Sequence, residues 1–591
     1  MSVTLEKLTP VSVYDPRTVY PENVFPVVKG GSNLDYRQIT TNNVSSSSIS
    51  FSVQSPGYNL YLDRRMQLTL PVRCTFTATG LDAGVFLLNP NQCCVRSWPL
   101  QKCIESLSIT INNQNVSIVP SDIMSCIEHF NLREDLLNVD MSKTPTYGAQ
   151  SQDFSDLFGS NRSQMALYAD GQDISNIGFP FTIVSQTNDA AGPGASTAIS
   201  VVDILVTEPL FLSPLYWGAI SGSDMALRGV QSMDVTMNFS SGAANRIMAI
   251  DNVSVGVAFA PATWSSSVQF NNFSPTFSYS SNQPLLQLCY ITPQLTDQSS
   301  DMNRVLSYPY WSVDRSPTDL PAIAPGASTT VTNNQVQLNT IPTKIYLFIR
   351  DRNADLQANP FTPDTFCAIN QVQVQWGTMG TKLGSASQQQ LFDLAVKNGF
   401  VGNYASWSGT KLNKNALASA NFGKAAEQYS GLGSIICLTP DDLGLGPLEA
   451  AGKLEQFSVQ FTVNYTNVSS RTINPTLYLV TVSSGVFSLL NGQGYLQVGV
   501  LTSDMILNSQ KQTGRILTLK QVNRIYGGNF FDSLKSGLSD VWSFLKPIAK
   551  IAAPIASAVF PEAAPIISGV SSALGGAKLS RAQLRDRLRQ Q

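Results

Sequence analysis

Leu107-Ser108-Ile109-Thr110-Ile111 and Met233-Asp234-Val235-Thr236-Met237 decide the fold. Apolar and polar side chains alternate with a period of two, so an extended chain sorts them onto opposite faces, as in a half-buried β-strand. The signature returns at Met66-Gln67-Leu68-Thr69-Leu70 and at 201–206, between clusters of Gly, Pro, Asn and Ser that mark turns. A second β-rich stretch follows, strongest at 285–291, 344–350, 372–376, 457–465 and 477–482. Two interruptions read as helices. One spans 121–137, with Ile123, Cys126, Ile127, Phe130 and Leu137 roughly on one side. The other spans 387–398, with Leu391, Phe392, Leu394 and Ala395 packing inward and Gly399 as its stop.

Outward from these strands the chain divides into an N-terminal arm (1–24) punctuated by Pro10, Pro16 and Pro21, and two β bodies (25–280 and 281–510). A linker (511–528) and a tail of different character (529–591) complete it. Each body exceeds what a simple sandwich needs, so long loops decorate both. Segments 188–197 and 413–433 are candidate tower or contact loops. The two halves show no sequence repeat.

Charged residues make up 13% of the 591, about half the usual share. Ser, Thr, Asn and Gln fill the polar positions instead, which suits strands and close subunit contacts. With 38 basic against 40 acidic residues the net charge is -2, so the body is no polyanion binder by charge. Of the eight cysteines, Cys93 and Cys94 are adjacent and no CxxC occurs. Buried free thiols in a reducing compartment are the expectation. Residues 1–10 lack the apolar core of a signal peptide, which places synthesis and assembly inside a cell.

Catalytic chemistry finds little material. His129 is the single histidine and sits in the first helical interruption, as a helix-surface or core residue. That excludes histidine-based zinc sites, and no GxSxG stands anywhere. Gly377-Thr378-Met379-Gly380-Thr381-Lys382 has the wrong spacing for a phosphate-binding loop. Glu134-Asp135 and Asp441-Asp442 read as solvated turn acids, although such pairs also serve glycosidases. No cofactor and no metal are expected.

Further pieces recur in a characteristic order. Val27-Val28-Lys29-Gly30-Gly31 precedes a polar strand, and Leu62-Asp63-Arg64 leads into 68–76. Val336-Gln337-Leu338, Ile341-Pro342, Lys344-Ile345-Tyr346-Leu347-Phe348, Thr362-Pro363-Asp364-Thr365-Phe366, Asp393 and Asn398-Gly399 follow. Over roughly residues 25–507 this order resembles the double-jelly-roll major capsid proteins of virophages and polinton-like viruses. The resemblance implies an all-β protein of two tandem eight-stranded jelly rolls with a few short helices in loops. It also implies a homotrimer of six jelly rolls, a pseudo-hexagonal tile of an icosahedral virion shell, in contact with neighbouring capsomers and with penton and minor capsid proteins. Threefold closure repeats one interface without making fibres.

The tail stands on its own residues. Phe530, Phe531, Leu534, Leu538, Val541, Trp542 and Leu545 fall at helical spacing, opposite Asp532, Lys535, Ser536, Ser539, Asp540 and Ser543. This amphipathic face suits either a membrane interface or docking beneath a capsid trimer. Residues 548–573 are apolar but broken by Pro554, Pro561 and Pro565, which argues against a transmembrane span. Lys578, Arg581, Arg585, Arg587 and Arg589 form a basic tip that could meet genome phosphates or anionic lipid, or remain solvated. Ile525-Tyr526-Gly527-Gly528 before Asn529 is similar to an adenovirus-type maturation-protease site, so a viral protease is a candidate partner. Gly30-Gly31, Gly575-Gly576 and 490–494 match that pattern less well.

These features read together as a major capsid protein without catalytic residues, carrying a C-terminal peptide that a protease can release. The alternatives are a β-sandwich carbohydrate-binding or adhesion protein, with Trp264, Trp311 and Trp407 as sugar platforms, and a glycoside hydrolase on a β scaffold.

Overall fold

The computed structural model describes residues 33–130 and 181–510, apart from short stretches of which the longest are 216–225, 274–282, 293–305 and 414–427. Each β body is built on two antiparallel sheets packed face to face, one of which places the body's first strand beside its last long strand. We call it the closing sheet.

In the first body the closing sheet is built on Gln67–Leu81, with Ser196–Pro209 along one edge and Leu285–Thr292 and Thr263–Gln269 along the other. The first strand, Asn33–Thr40, pairs residue for residue with Leu285–Thr292. With its smaller members this sheet has eight strands. Alternation does the sorting: Leu68, Leu70, Val72, Cys74, Phe76 and Ala78 face the other sheet and are at most 1% exposed. Burying each of the larger of these side chains contributes about 1.5–3 kcal/mol. The opposing sheet joins Ser48–Gln54, Ser232–Phe239, Ile104–Ile111 and Gln114–Ile118. Here Val235 stands between Phe51 and Ile109, so both of the alternating stretches that set the fold are neighbours in one sheet.

The second body repeats this plan. Its closing sheet runs Leu306–Asp319, Pro475–Leu490, Lys344–Asp351, Ile435–Leu438, and the short last strand Gln493–Val498 hairpins onto the end of Pro475–Leu490. Its other sheet joins Ser328–Thr332, Val336–Thr340 and Ala368–Trp376 around Leu454–Thr466. A first strand paired with the last long strand in one sheet, with the intervening strands shared between two, is the jelly-roll order.

The segment 285–291, expected to open the second body, belongs to the first. Leu285–Thr292 pairs with Asn33–Thr40, Tyr61–Leu62 and Gln67–Leu81, and with no strand of the second body. It completes the first closing sheet because Leu286, Leu288 and Tyr290 fill that core.

The helix expected at 121–137 is present as Pro120–Phe130, and its continuation lies outside the described residues. The helix at 387–398 is Gln388–Lys397, opened by a reciprocal pair in which the Ser387 hydroxyl accepts from Gln390 N–H and the Gln390 side chain accepts from Ser387 N–H. Gly399 follows at φ 109°, a left-handed angle that only glycine adopts without strain.

Candidate functional site: the seam between the two β bodies

Where the bodies meet, charged side chains that are distant in sequence converge. Asp364, on the loop after helix Asn353–Ala358 of the second body, gathers three cations from the first. Arg246 Nη2 donates to Oδ1, Lys102 Nζ lies 3.3 Å from Oδ2, and Arg96 Nη1 lies 3.5 Å from Oδ2. Burial alone would raise the Asp364 carboxyl. Arg246, Lys102 and Arg96, with the Arg246 hydrogen bond, outweigh it and hold the group well below the usual carboxylate range.

Local structure fixes each cation. Lys102 rides on helix Pro99–Cys103, whose first amides, Leu100 N and Gln101 N, each donate at 3.0 Å to the buried Glu208 carboxylate. Arg246 rides on helix Ala243–Ile247. Arg96 is wholly buried and donates to the carbonyls of Asn245 and Met248 in its own body and of Pro360 and Thr362 across the seam, at 2.9–3.2 Å. A guanidinium tolerates such a site because its five donors can be shared among fixed acceptors. Beside it Asn245 Nδ2 donates to Gln357 O at 2.7 Å, and a Cβ on Gly242 would stand 2.3 Å from that same carbonyl.

A second cluster centres on Asp122, in the first turn of helix Pro120–Phe130. Its enclosed carboxylate accepts from Arg350 Nη2 at 2.9 Å, from Asn353 Nδ2 at 2.8 Å, and from Arg315 Nη1. Arg350 also donates to Ser121 O at 3.1 Å and lies 4.9 Å from the Tyr478 ring centroid. At the far end of the same helix, Phe130 meets Tyr346 at 5.1 Å and Phe400 at 5.5 Å, and His129 sits against Phe366 and Phe400. His129 is therefore half-buried in an aromatic contact. Single hydrogen bonds extend the seam: Arg228 N to Tyr308 Oη, Trp311 N to Ser213 Oγ and Gly494 N to Asn113 Oδ1, each 2.8–2.9 Å. This geometry supplies rigid registration of one jelly roll on the other.

Several expected features lie elsewhere. Ile525, Gly527, Gly528 and Asn529 of the cleavage motif, the face Phe530, Phe531, Leu534, Leu538, Val541, Trp542 and Leu545, and the tip Lys578, Arg581, Arg585, Arg587 and Arg589 all lie outside the described residues. So do Glu134-Asp135 and residues 27–31. The weaker motif at 490–494 falls in the hairpin between Pro475–Leu490 and Gln493–Val498.

Two expectations are corrected. Asp442 is not a solvated turn acid: its carboxylate accepts from Lys397, Asn398 and both Thr439 N–H and Oγ1, all at 2.7–2.9 Å, clasping the turn to the end of helix Gln388–Lys397. Trp407 is not a sugar platform: it is fully buried with Nε1 donating to Ile435 O, and Trp264 and Trp311 pack partly buried against the core. The cysteines described in full (Cys74, Cys103, Cys126, Cys289, Cys367 and Cys437) are buried free thiols.

Known proteins are similar in sequence and fold. The family described as "Sputnik virophage major capsid protein 1st domain" matches residues 8–278, and "Major capsid protein V20 C-terminal domain" matches 315–485. The capsid protein V20 of Sputnik virophage is 27% identical over 580 residues, covering 95% of this chain and 92% of that protein. A chain of the Sputnik virophage cryo-EM structure superposes with a TM-score of 0.73 at 25% identity, over 89% of this chain and 100% of its own. The mavirus major capsid protein does so at 0.66 and 16%, over 87% and 100%. Two jelly rolls locked in tandem make this a double-jelly-roll capsid protein, a component of the virion. Within that class it is similar along nearly its whole length to the virophage major capsid proteins, and as a capsid protein it assembles with neighbouring capsomers into the shell.

Proposed function

We propose that three copies close into a pseudo-hexagonal tile of six jelly rolls, that such tiles pave an icosahedral shell, and that the protein works without catalysis. The observation that carries this reading is the pair of like-built bodies held in fixed relation by the Asp364 and Asp122 clusters. A rigid pair of similar units needs only a threefold operation to approximate sixfold symmetry. Mass photometry and electron microscopy of the purified protein test it. Trimers of hexagonal outline are expected, and a monomer at micromolar concentration refutes the reading.

The tail adds a second part to the proposal. A maturation protease cuts after Gly528 and frees 529–591, whose amphipathic face engages lipid or the inside of the capsid and whose basic tip engages genome or anionic lipid. The support is positional: the motif stands just beyond the last β-type sequence. Mass spectrometry of purified particles should find a chain ending at Gly528. Full-length chain alone removes the idea.

A further inference from the structure

The two closing sheets are alike in build and opposite in fate. In the second body the face turned away from that body's own core is covered: Tyr346, Phe348, Tyr478, Val480 and Val482 are at most 8% exposed. Helix Pro120–Phe130 of the first body supplies part of the cover, with Phe130 on Tyr346 and Asp122 reaching Arg315 on the first strand and Arg350 on Lys344–Asp351, while Phe366 of the second body itself lies on Phe348. In the first body the same face is open along its first strand and half-buried at its centre, where Asp203 is enclosed and Phe273 lies over Arg73. There the first strand shows Leu34 and Tyr36, 45% and 77% exposed, and Ser196–Pro209 shows Ile199 at 39%. Registers place Leu34 and Tyr36 beside Ile291 and Cys289, on the side opposite the buried Leu288 and Tyr290.

The chemistry of this open face is unusual for solvent. Across Asn33–Thr40, Gln67–Leu81, Ser196–Pro209 and Leu285–Thr292 it carries two charged groups, Arg73 and Asp203. They neutralise each other through two hydrogen bonds of 2.6 and 2.8 Å. The remaining outward positions are hydroxyl, amide, thiol and aliphatic groups, with Tyr36. Depletion of charge with retained aromatic and aliphatic area marks an interface core more than a solvated surface.

The covered sheet indicates the occupant. Helix Pro120–Phe130 follows Gln114–Ile118 and precedes Phe181–Asn188 and Ser196–Pro209 in chain order, and packs on Ile104–Ile111. Helix Gln388–Lys397 holds the matching place in the second body, between Ala368–Trp376 and Ile435–Leu438, and packs on both. Val396 on this helix and Tyr404 just beyond it are 44% and 39% exposed. In a ring of alternating first and second bodies, approximate sixfold symmetry makes the junction between chains similar in placement to the junction within the chain. We infer that the open face of the first closing sheet receives residues 388–407 of a second copy of this chain, in imitation of the seam within the chain. Tyr36 would take the position on the first strand that Arg315 takes in the covered sheet.

This inference rests on the trimer reading, and the experiment separates the two. Full-length protein carrying Tyr36→p-benzoylphenylalanine is irradiated, and cross-linked peptides are mapped. Covalent dimers and trimers joined to residues 388–407 are expected. In parallel, Ile199→Asp should raise the concentration at which the trimer dissociates by about a hundredfold, the scale of burying an unpaired charge. Thr236→Asp, on the exposed face of the other sheet, should leave it unchanged. If Ile199→Asp fails to fold, the cross-link decides. A wild-type monomer overturns both proposals. A wild-type trimer whose cross-links avoid 388–407, or that Ile199→Asp and Thr236→Asp weaken equally, overturns the face and leaves the trimer standing.

Discussion

Asp364→Asn is the sharpest test of the seam. The substitution keeps the side chain's shape and one acceptor oxygen, so it opens no cavity. It removes the negative charge shared by Arg246, Lys102 and Arg96. Breaking a buried ion pair from one side costs about 3–5 kcal/mol, because the remaining charge is left uncompensated. Screening reduces this little, since the Asp364 side chain is only 10% exposed. Arg96 keeps its four carbonyl acceptors, so the loss falls on Arg246 and Lys102, and the lower end, about 3 kcal/mol, is the expectation. For a body of this size that corresponds to a Tm decrease of roughly 6 °C. Scanning calorimetry of disassembled protein at pH 7 reads it directly.

A pH series adds a signed check. Asp364 titrates in the folded protein far below its ordinary value, which is about 3.9 in an unfolded chain. The unfolded state therefore binds the proton first, and this contribution is complete above about pH 5 and fades as pH falls through 4 and below. The gap between wild type and Asp364→Asn should narrow from pH 5 to pH 2. A shift under about 1 °C at pH 7, or a gap constant over that window, refutes the reasoning.

Other outcomes follow from the same contacts. Asp122→Ala leaves buried Arg350 without its carboxylate and should destabilise by about 3–5 kcal/mol in urea unfolding; adding Arg350→Met should restore much of the loss. Gly242→Ala should cost about 1–3 kcal/mol by overpacking alone, because φ there is an ordinary -95° while the new Cβ would meet Gln357 O at 2.3 Å; melting curves report it. Burial raises the thiols of Cys74, Cys103, Cys126 and Cys367, and pushes Cys437 up to about 12. Burial raises the Cys289 thiol as well, but it is the least deeply enclosed of the six. Iodoacetamide should therefore label it before these five in disassembled native protein at pH 8, and all of them after denaturation, as counted by mass spectrometry.

Period-two alternation made the strands legible at Leu107–Ile111 and Met233–Met237 because it depends on neighbours in sequence. The helix Gln388–Lys397 was legible through Leu391, Ala395 and the glycine stop for the same reason. Pairing partners were not. The run Leu285–Thr292 is as apolar as the long strands of the second body, and nothing in it says that Leu286 and Leu288 fill the first core. The seam was least legible, because Asp122 and Arg350 lie 228 residues apart and neither belongs to a motif. A trace was present all the same. Arg350 stands within the almost wholly buried strand Lys344–Asp351, and a cation there requires a partner arriving from outside the strand.

That trace bears on why the chain uses charge where it does. In a protein only 13% charged, Arg96, Lys102, Asp122, Arg246, Arg315, Arg350 and Asp364 all gather at one internal junction. Apolar faces alone would let two sandwiches slide by a residue and still bury similar area. A carboxylate aimed at a guanidinium loses most of its compensation on such a slip. The junction within the chain forms once, during folding, and can bear the desolvation cost in exchange for a single register. The junction between chains must form many times and also break when misplaced, and the hydroxyl-rich closing face, with its charges already paired through Arg73 and Asp203, meets that requirement by leaving no unsatisfied ion to trap a wrong contact.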